Sequence, residues 1–223
     1  MKDSAVIPAT HSFTMLRAMV GIGVICGLLI VLTYEGTLPR VERLRAEALQ
    51  KAIFKVVPGI TETRAYTWQN GEFILADESI NPTIHAGYDA SGQFKGVAIE
   101  ASGQGYADVI RILYGYDPEK QKVVGFYVLE SKETPGLGDK IEKDQSFLSN
   151  FIALDVKLNE NLGALLNPVV TVKKGAKEYP WEVDGITGAT ISSRAIGSII
   201  AESTGHWAPR IYRHKALFNT MNP

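Results

Sequence analysis

The chain contains 223 residues, of which 45% are hydrophobic and 21% are charged, so it is long and apolar enough to form one folded domain of ordinary size. Its formal net charge is −1, which gives no electrostatic reason to expect nucleic acid as a partner. The single cysteine, Cys26, excludes an internal disulfide and a cysteine-ligated iron–sulfur cluster. The four histidines show no metal-ligand spacing, so no metal site is predicted and any redox chemistry requires an organic cofactor.

An apolar stretch near the N-terminus predicts a membrane-spanning helix over residues 15–34. Residues 18–34 carry no charge and correspond to about 25 Å of helix, slightly less than a hydrocarbon core of about 30 Å. Arg17 can extend its side chain to the headgroups and Tyr34 can lie at the interface, which closes the difference. A cleaved signal peptide is the alternative, but residues 33–36 make a poor cleavage site. An uncleaved anchor is therefore favoured.

The charges beside this stretch do not settle its orientation. The basic residues that follow it outnumber those that precede it, which favours a cytoplasmic location for the C-terminal side. Long domains, however, cross membranes largely regardless of such charges. The flanking charges therefore leave the side of the membrane open.

Residues 35–58 predict an amphipathic helix that links the membrane span to a folded domain. Apolar residues recur there at helical spacing between charged ones, and Pro58-Gly59 provides a stop signal. Strand patterns separated by turn sequences follow at residues 64–68, 72–75, 83–88, 94–101, 107–114 and 122–129. Helical patterns at residues 145–152 and 192–203 come later in the chain, so the sequence predicts an α+β domain.

A loop rich in glycine and proline at residues 133–139 is the first candidate site. Pro135 stiffens its start, and Gly136 and Gly138 allow a ligand to approach the backbone closely. Leu137, held at such a bend, can cover a flat ring. A plain turn between a strand and a helix explains the same residues without a ligand.

The loop at residues 184–193 is the second candidate, because it places small and hydroxyl-bearing residues before an apolar helix. The start of a helix offers unpaired N–H groups and the positive end of a dipole, which suit a phosphate. Thr187 and Thr190 offer hydroxyl groups, and the small residues between them let a phosphate approach the backbone. An ordinary helix start, with Thr190 or Ser192 as the capping residue, is the alternative.

The two loops together, in this order and spacing, resemble an FMN-binding domain family of respiratory membrane complexes. This family includes the G subunit of the Rnf complex, an ion-translocating ferredoxin:NAD oxidoreductase, and the C subunit of the sodium-translocating NADH:quinone reductase. The order of the motifs and the chain length favour the former of these two. The resemblance is carried by Gly105-Tyr106, by E-T-P-G-L-G-D-K at residues 133–140, by V-K-K at 172–174 and by T-G-A-T at 187–190.

This resemblance implies that FMN is joined covalently, through its phosphate, to the hydroxyl of Thr190 by a phosphoester bond. It also implies a domain with an antiparallel sheet and packed helices, preceded by one N-terminal transmembrane helix. Thr190 would be an attachment point, and no residue is predicted to be catalytic. The FMN-binding residues implied by the resemblance are Tyr106, Glu133, Thr134, Pro135, Gly136, Leu137, Gly138, Asp184, Thr187, Gly188 and Ala189.

The resemblance further implies an electron-relay subunit of a membrane-bound, ion-translocating redox complex. Its expected partners are the other membrane subunits, membrane lipid and a separate flavin transferase that attaches the FMN. Because such a transferase acts outside the cytoplasm, the domain at residues 59–205 is expected on the extracytoplasmic side of a bacterial or archaeal cytoplasmic membrane. Apart from the resemblance, residues 1–14 are expected to form a short N-terminal segment and residues 206–223 a C-terminal tail. The basic stretch at 210–215 can contact a partner or lipid headgroups, but a solvated tail is favoured.

Other functions remain open at this point. The chain can be the C subunit of the sodium-translocating NADH:quinone reductase, or a flavin-bearing domain that serves another membrane reductase. It can also be a membrane-anchored binding or assembly module that carries no flavin. Gene neighbours would separate the Rnf component from the other flavin carriers, and flavin content would separate all of these from the module.

Overall fold

A computed structural model describes residues 10–76 and 83–219, which combine helices with a mainly antiparallel sheet. The described chain forms two compact units that divide after Glu47. Its helices are α1 (Thr10–Val56), α2 (Gln145–Leu148), α3 (Thr190–Arg213) and α4 (Lys215–Asn219). Its strands are β1 (Glu62–Gln69), β2 (Glu72–Leu75), β3 (Ile84–Tyr88), β4 (Phe94–Gln104), β5 (Val109–Asp117), β6 (Lys122–Glu130), β7 (Leu154–Asp155), β8 (Val170–Val172) and β9 (Glu182–Asp184).

The N-terminal unit consists of the first part of α1. The helix over Phe13–Val56 contains a window with a mean hydropathy of 2.4, and none of that window is buried within the chain. Its length and composition suffice to cross a membrane, although an N-terminal signal sequence has the same properties. The predicted helices at residues 15–34 and 35–58 both fall largely within this one helix, which includes Pro39.

The second unit is built on an antiparallel sheet, to which the described residues contribute seven strands in the order β2-β1-β3-β4-β5-β6-β7. All six pairings between neighbours are antiparallel. A separate parallel pair joins β8 to β9, with Val172 opposite Asp184. Each strand pattern predicted from the sequence overlaps one of the strands β1 to β6, and the predicted helix at 192–203 lies within α3. At residues 145–152 the chain instead forms the short α2 followed by a 3₁₀ helix, Ser149–Phe151.

The two faces of the sheet carry different parts of the core. Neighbouring residues in a strand point to opposite faces, and in β4 Ile99 belongs to the main core whereas Ala98 belongs to a second cluster. The main core includes Ile196 and Ile200 of α3. The second cluster includes Ile53 from the last turns of α1. The sheet is therefore packed on one face by α3 and on the other by the end of α1.

The end of α1 approaches the sheet through a pair of glycines. Gly115 in β5 and Gly125 in β6 lie opposite each other in the register. A side chain at either position would overlap the carbonyl of Val56. Hydrogen atoms at these two positions therefore let the last turn of α1 lie directly on the sheet.

The C-terminal residues contradict the predicted solvated tail. The helix α3 continues to Arg213, α4 follows it, and Ala208, Ile211 and Phe218 are buried in the main core. The ring of Phe218 lies 5.2 Å from that of Tyr66, measured between centroids. The prediction is therefore wrong for residues 206–219, because apolar side chains at helical spacing are interleaved with the basic ones that suggested a solvated segment. Residues 220–223 lie outside the described part of the chain.

Candidate functional site

Thr190 is the first residue of α3, and it is exposed. The capping position is occupied by Ala189, and no side chain caps the helix. The first N–H groups of a helix have no partner within it, so here they are available to an external anion. The alternative in which Thr190 or Ser192 serves as the capping residue is wrong.

A buried serine fixes the turn that precedes α3. The backbone N–H of Ile186 donates to Ser193 Oγ at 3.1 Å, and the Ser193 hydroxyl donates to the carbonyl of Ala189 at 2.8 Å. Gly188 between them has a φ of 85°, in the left-handed region that glycine adopts without strain. These bonds hold the turn in place and leave Thr190 exposed to solvent.

Glu133 connects the first candidate loop to α3. Its side chain is buried, with the residue 5% exposed. One carboxylate oxygen accepts a hydrogen bond from the N–H of Ala107 at 2.9 Å, and the other accepts one from the hydroxyl of Ser192. A side chain at Gly138 would begin 2.8 Å from Glu133 Cβ, and one at Gly105 would collide with the carboxylate. The two glycines therefore make room for a buried acid that joins three segments of the site.

The loop after Glu133 closes on the carbonyl of Thr134. The N–H groups of Leu137 and Gly138 donate to this oxygen at 3.1 and 3.0 Å, and a φ of 78° at Gly136 makes the turn. At the last residue of the loop, a hydrogen bond from Lys143 lowers the pKa of the Asp139 carboxyl. The loop is thus a defined turn that presents Leu137 to the same side as the start of α3.

A cavity of about 310 Å³ lies between this loop and the start of α3. Three apolar side chains at its edge, Tyr106, Leu137 and Ile191, are more than half exposed, as expected of a surface that contacts a flat ring. Its floor includes the polar groups of Glu133 and Ser192. The residues that line the cavity are Tyr106, Glu133, Thr134, Leu137, Gly138, Gly188, Ala189, Thr190, Ile191 and Ser192.

A second cavity of about 340 Å³ also touches Thr190. It lies between the turn after β8 and the first two turns of α3, and it contains Thr187 of the predicted site. Its character differs from that of the first cavity, because cationic side chains contribute to it and carboxylates do not. The residues that line it are Thr171, Val172, Lys173, Lys174, Gly185, Ile186, Thr187, Thr190, Ser193 and Arg194.

Three of the predicted FMN-binding residues line neither cavity. Pro135 and Gly136 form the exposed tip of their loop. The Asp184 carboxylate accepts a hydrogen bond from the N–H of Gly175 at 2.7 Å, so it fixes the turn after β8. In this structure Asp184 therefore orients the turn that carries Lys173 and Lys174.

Sequence reasoning assigned no binding role to several residues that line the cavities. Ile191 and Ser192 of the first cavity fit an ordinary helix start, which gives no sign of a ligand. Lys173 and Lys174 belong to the V-K-K motif, which by itself indicates no role for them. For Arg194 the sequence does offer a signal, because its position four residues after Thr190 places both on one face of α3.

Comparisons with known proteins identify the family to which this domain belongs. Residues 105–204 match the family model of the FMN-binding domain. The chain is 30% identical over 183 residues to the G subunit of the ion-translocating oxidoreductase complex of Methanosarcina acetivorans, covering 80% of this chain and 85% of the relative. It is 29% identical over 180 residues to the protein of the same name from Aliivibrio fischeri, covering 75% of this chain and 77% of the relative.

Solved structures show the same fold. The crystal structure of NqrC from Shewanella oneidensis superposes with a TM-score of 0.60 at 19% identity, covering 77% of this chain and 98% of that one. The C subunit of the Na⁺-translocating NADH-quinone reductase from Parabacteroides distasonis gives a TM-score of 0.59 at 20% identity, with 82% and 98% covered. The fold and the family match thus define an α+β protein with an FMN-binding domain. Within that class, the chain belongs to the family of G subunits of the Rnf-type ion-translocating oxidoreductase complexes.

Proposed function

We propose that this chain is the electron-relay subunit of a membrane-bound, ion-translocating redox complex of the Rnf type, and that it carries FMN covalently on Thr190 through a phosphoester bond. The observation that carries the proposal is the position of Thr190. Its side chain is exposed on the first, uncapped turn of a helix of 24 residues. An exposed hydroxyl and free N–H groups at one helix end suit a bound phosphate.

The residues around Thr190 fit the two ends of such a cofactor. The uncapped turn would hold the phosphate, and the cavity edged by Tyr106, Leu137 and Ile191 would hold the flat ring. FMN supplies one-electron and two-electron chemistry, whereas the protein binds, orients and tunes it. Thr190 is an attachment point in this account, and Glu133 orders the cavity floor through its bonds to Ala107 and Ser192.

The proposed membrane location and partner proteins follow from family membership and from the apolar helix α1. Residues 15–34 would span the membrane, and residues 59–205 would lie on the extracytoplasmic side, where a flavin transferase would attach the FMN. The other membrane subunits of the complex would exchange electrons with the flavin. The relatives named as G subunits, at 29 to 30% identity, favour the Rnf type over the quinone-reductase type, because the latter is supported by the fold alone.

Intact-mass spectrometry tests the covalent cofactor. The full chain is expressed with and without an active flavin transferase and purified in detergent. With the transferase, we expect a mass increase equal to FMN minus one water, which is the balance of a phosphoester bond to a hydroxyl. An unmodified mass, obtained while a known acceptor protein in the same cells is modified, would contradict the proposal and support a module without flavin.

A further inference from the structure

We propose that Lys173, Lys174 and Arg194 form an anion subsite that binds the phosphate end of the flavin nucleotide. They line the second cavity described above, here called the cationic cavity, which adjoins the first, here called the apolar cavity, at Thr190. This inference rests on the proposed binding of FMN and adds the residues that recognise its charge. The apolar cavity and the cationic cavity share one residue, Thr190. The division matches the ligand, which has an aromatic end and an anionic end.

The cationic cavity is lined by three cations, two lysines and one arginine, and by no carboxylate. Within residues 10–76 and 83–219, none of these three side chains takes part in a salt bridge. Like charges around one cavity repel each other. An anion in the cavity removes this repulsion, and arginine is well suited to bind phosphate oxygens.

The three cations come from two elements that meet near Thr190, the turn after β8 and the helix α3. Lys173 and Lys174 directly follow β8, which pairs with β9, and the turn that carries them is fixed by the bond between Asp184 and Gly175. Arg194 lies one helical turn after Thr190 on α3. The cavity is thus assembled from residues distant in sequence.

The packing of β8 against α3 keeps the two lysines close to Arg194. A side chain at Gly197 in α3 would overlap the hydroxyl of Thr171 in β8. The absence of that side chain lets the strand lie close to the helix. This contact fixes the end of β8, which leads directly into the lysine turn, against α3.

Equilibrium binding of two flavins separates recognition of the phosphate from recognition of the ring. The full chain is produced without a flavin transferase, purified in detergent, and titrated with FMN and with riboflavin, which lacks the phosphate. Flavin fluorescence reports binding. We expect wild type to bind FMN about tenfold more tightly than riboflavin, as a few partly screened charge contacts predict. Added inorganic phosphate should weaken the binding of FMN and leave that of riboflavin unchanged.

The variant that tests the subsite combines Lys173→Gln, Lys174→Gln and Arg194→Gln. It should bind riboflavin as wild type does, which shows that it is folded, and it should lose most of the preference for FMN. The N–H groups of the uncapped turn, which the variant keeps, account for any preference that remains. A matched control combines Lys51→Gln, Lys122→Gln and Arg40→Gln, which remove the same charge outside both cavities, and it should keep the preference for FMN. Arg194→Lys alone retains the charge and should keep most of the preference.

The outcomes distinguish the subsite from the proposed function. If wild type prefers FMN and the cavity variant keeps that preference, the subsite is wrong while FMN binding stands. If inorganic phosphate binds the cavity but wild type does not prefer FMN to riboflavin, the cavity serves another anion and the inference is overturned. If wild type binds neither flavin and is not modified by an active transferase, the proposed function fails, and the subsite fails with it.

Discussion

Glu133 shows most clearly how single residues organise the site. It is a buried carboxylate whose two oxygens accept hydrogen bonds from segments far apart in sequence. An unsatisfied buried polar group is costly, so these bonds favour one arrangement of the cavity floor. The sequence indicated that Glu133 belongs to the site. Its burial between Gly105 and Gly138 required the fold, because no local pattern places residue 105 beside residue 133.

Glu133→Leu tests this role. Leucine offers no acceptor, so the N–H of Ala107 and the hydroxyl of Ser192 both lose the partner that they have in the native protein. We expect the free energy of unfolding to fall by about 1–3 kcal/mol, measured by chemical denaturation of the full chain in detergent. Glu142→Leu, at an exposed position, is the control and should unfold like wild type. Equal stability of the two variants would show that the buried bonds matter little.

The cationic residues show the limit of sequence reasoning at this scale. Lysine and arginine are common on surfaces, and the V-K-K motif marks Lys173 and Lys174 as part of the family resemblance without indicating what they contact. Their relation to Thr190 depends on the pairing of β8 with β9. Only the folded chain brings that pair beside the start of α3.

Among the secondary-structure elements, the end of α1 and the strands β5 and β6 show how a helix is seated on the sheet. The glycine pair at 115 and 125 leaves space for the carbonyl of Val56. The long strands were predictable because their apolar residues alternate over enough positions. The strands β7 to β9 have two or three residues each, too few for a periodic pattern, and they were missed.

Gly115→Ala tests the seating of α1. The added methyl group would overlap the Val56 carbonyl, and we expect a loss of about 1–3 kcal/mol in the free energy of unfolding, as for other overpacked sites. Gly205→Ala is the matched control, because a methyl group at this exposed position in α3 meets nothing within 4 Å. It should stabilise the protein by up to about 1 kcal/mol through helix propensity. Denaturation midpoints of the two variants that move in the same direction would contradict this account.

The whole molecule combines one apolar helix with a flavin-binding domain, and family membership connects both to a membrane complex. The apolar helix was predictable from composition alone, because the absence of charge over residues 18–34 is a strong signal. The solvated tail was not correctly predicted, since the burial of Phe218 depends on a core that the strands complete. The side of the membrane follows from neither composition nor fold and stays a proposal.

Labelling of an introduced cysteine tests on which side of the membrane the domain lies. Cys26 is the single cysteine of the chain, so Cys26→Ser provides a background free of thiols. Ala153→Cys then places one thiol at an exposed position of the domain. We expect a membrane-impermeant maleimide to label this variant in intact cells as fully as after the cytoplasmic membrane is permeabilised. Labelling that requires permeabilisation would place the domain in the cytoplasm.

The attachment of FMN to Thr190 is the central claim, and flavin fluorescence after denaturing electrophoresis tests it most directly. Wild type, Thr190→Ala and the control Thr61→Ala, which changes an exposed threonine outside both cavities, are each expressed with an active flavin transferase. The account predicts fluorescent bands for wild type and Thr61→Ala and a dark band for Thr190→Ala, since only a covalent flavin survives denaturation. A fluorescent band of Thr190→Ala would place the bond on another residue, and a dark wild-type band would remove the covalent flavin altogether.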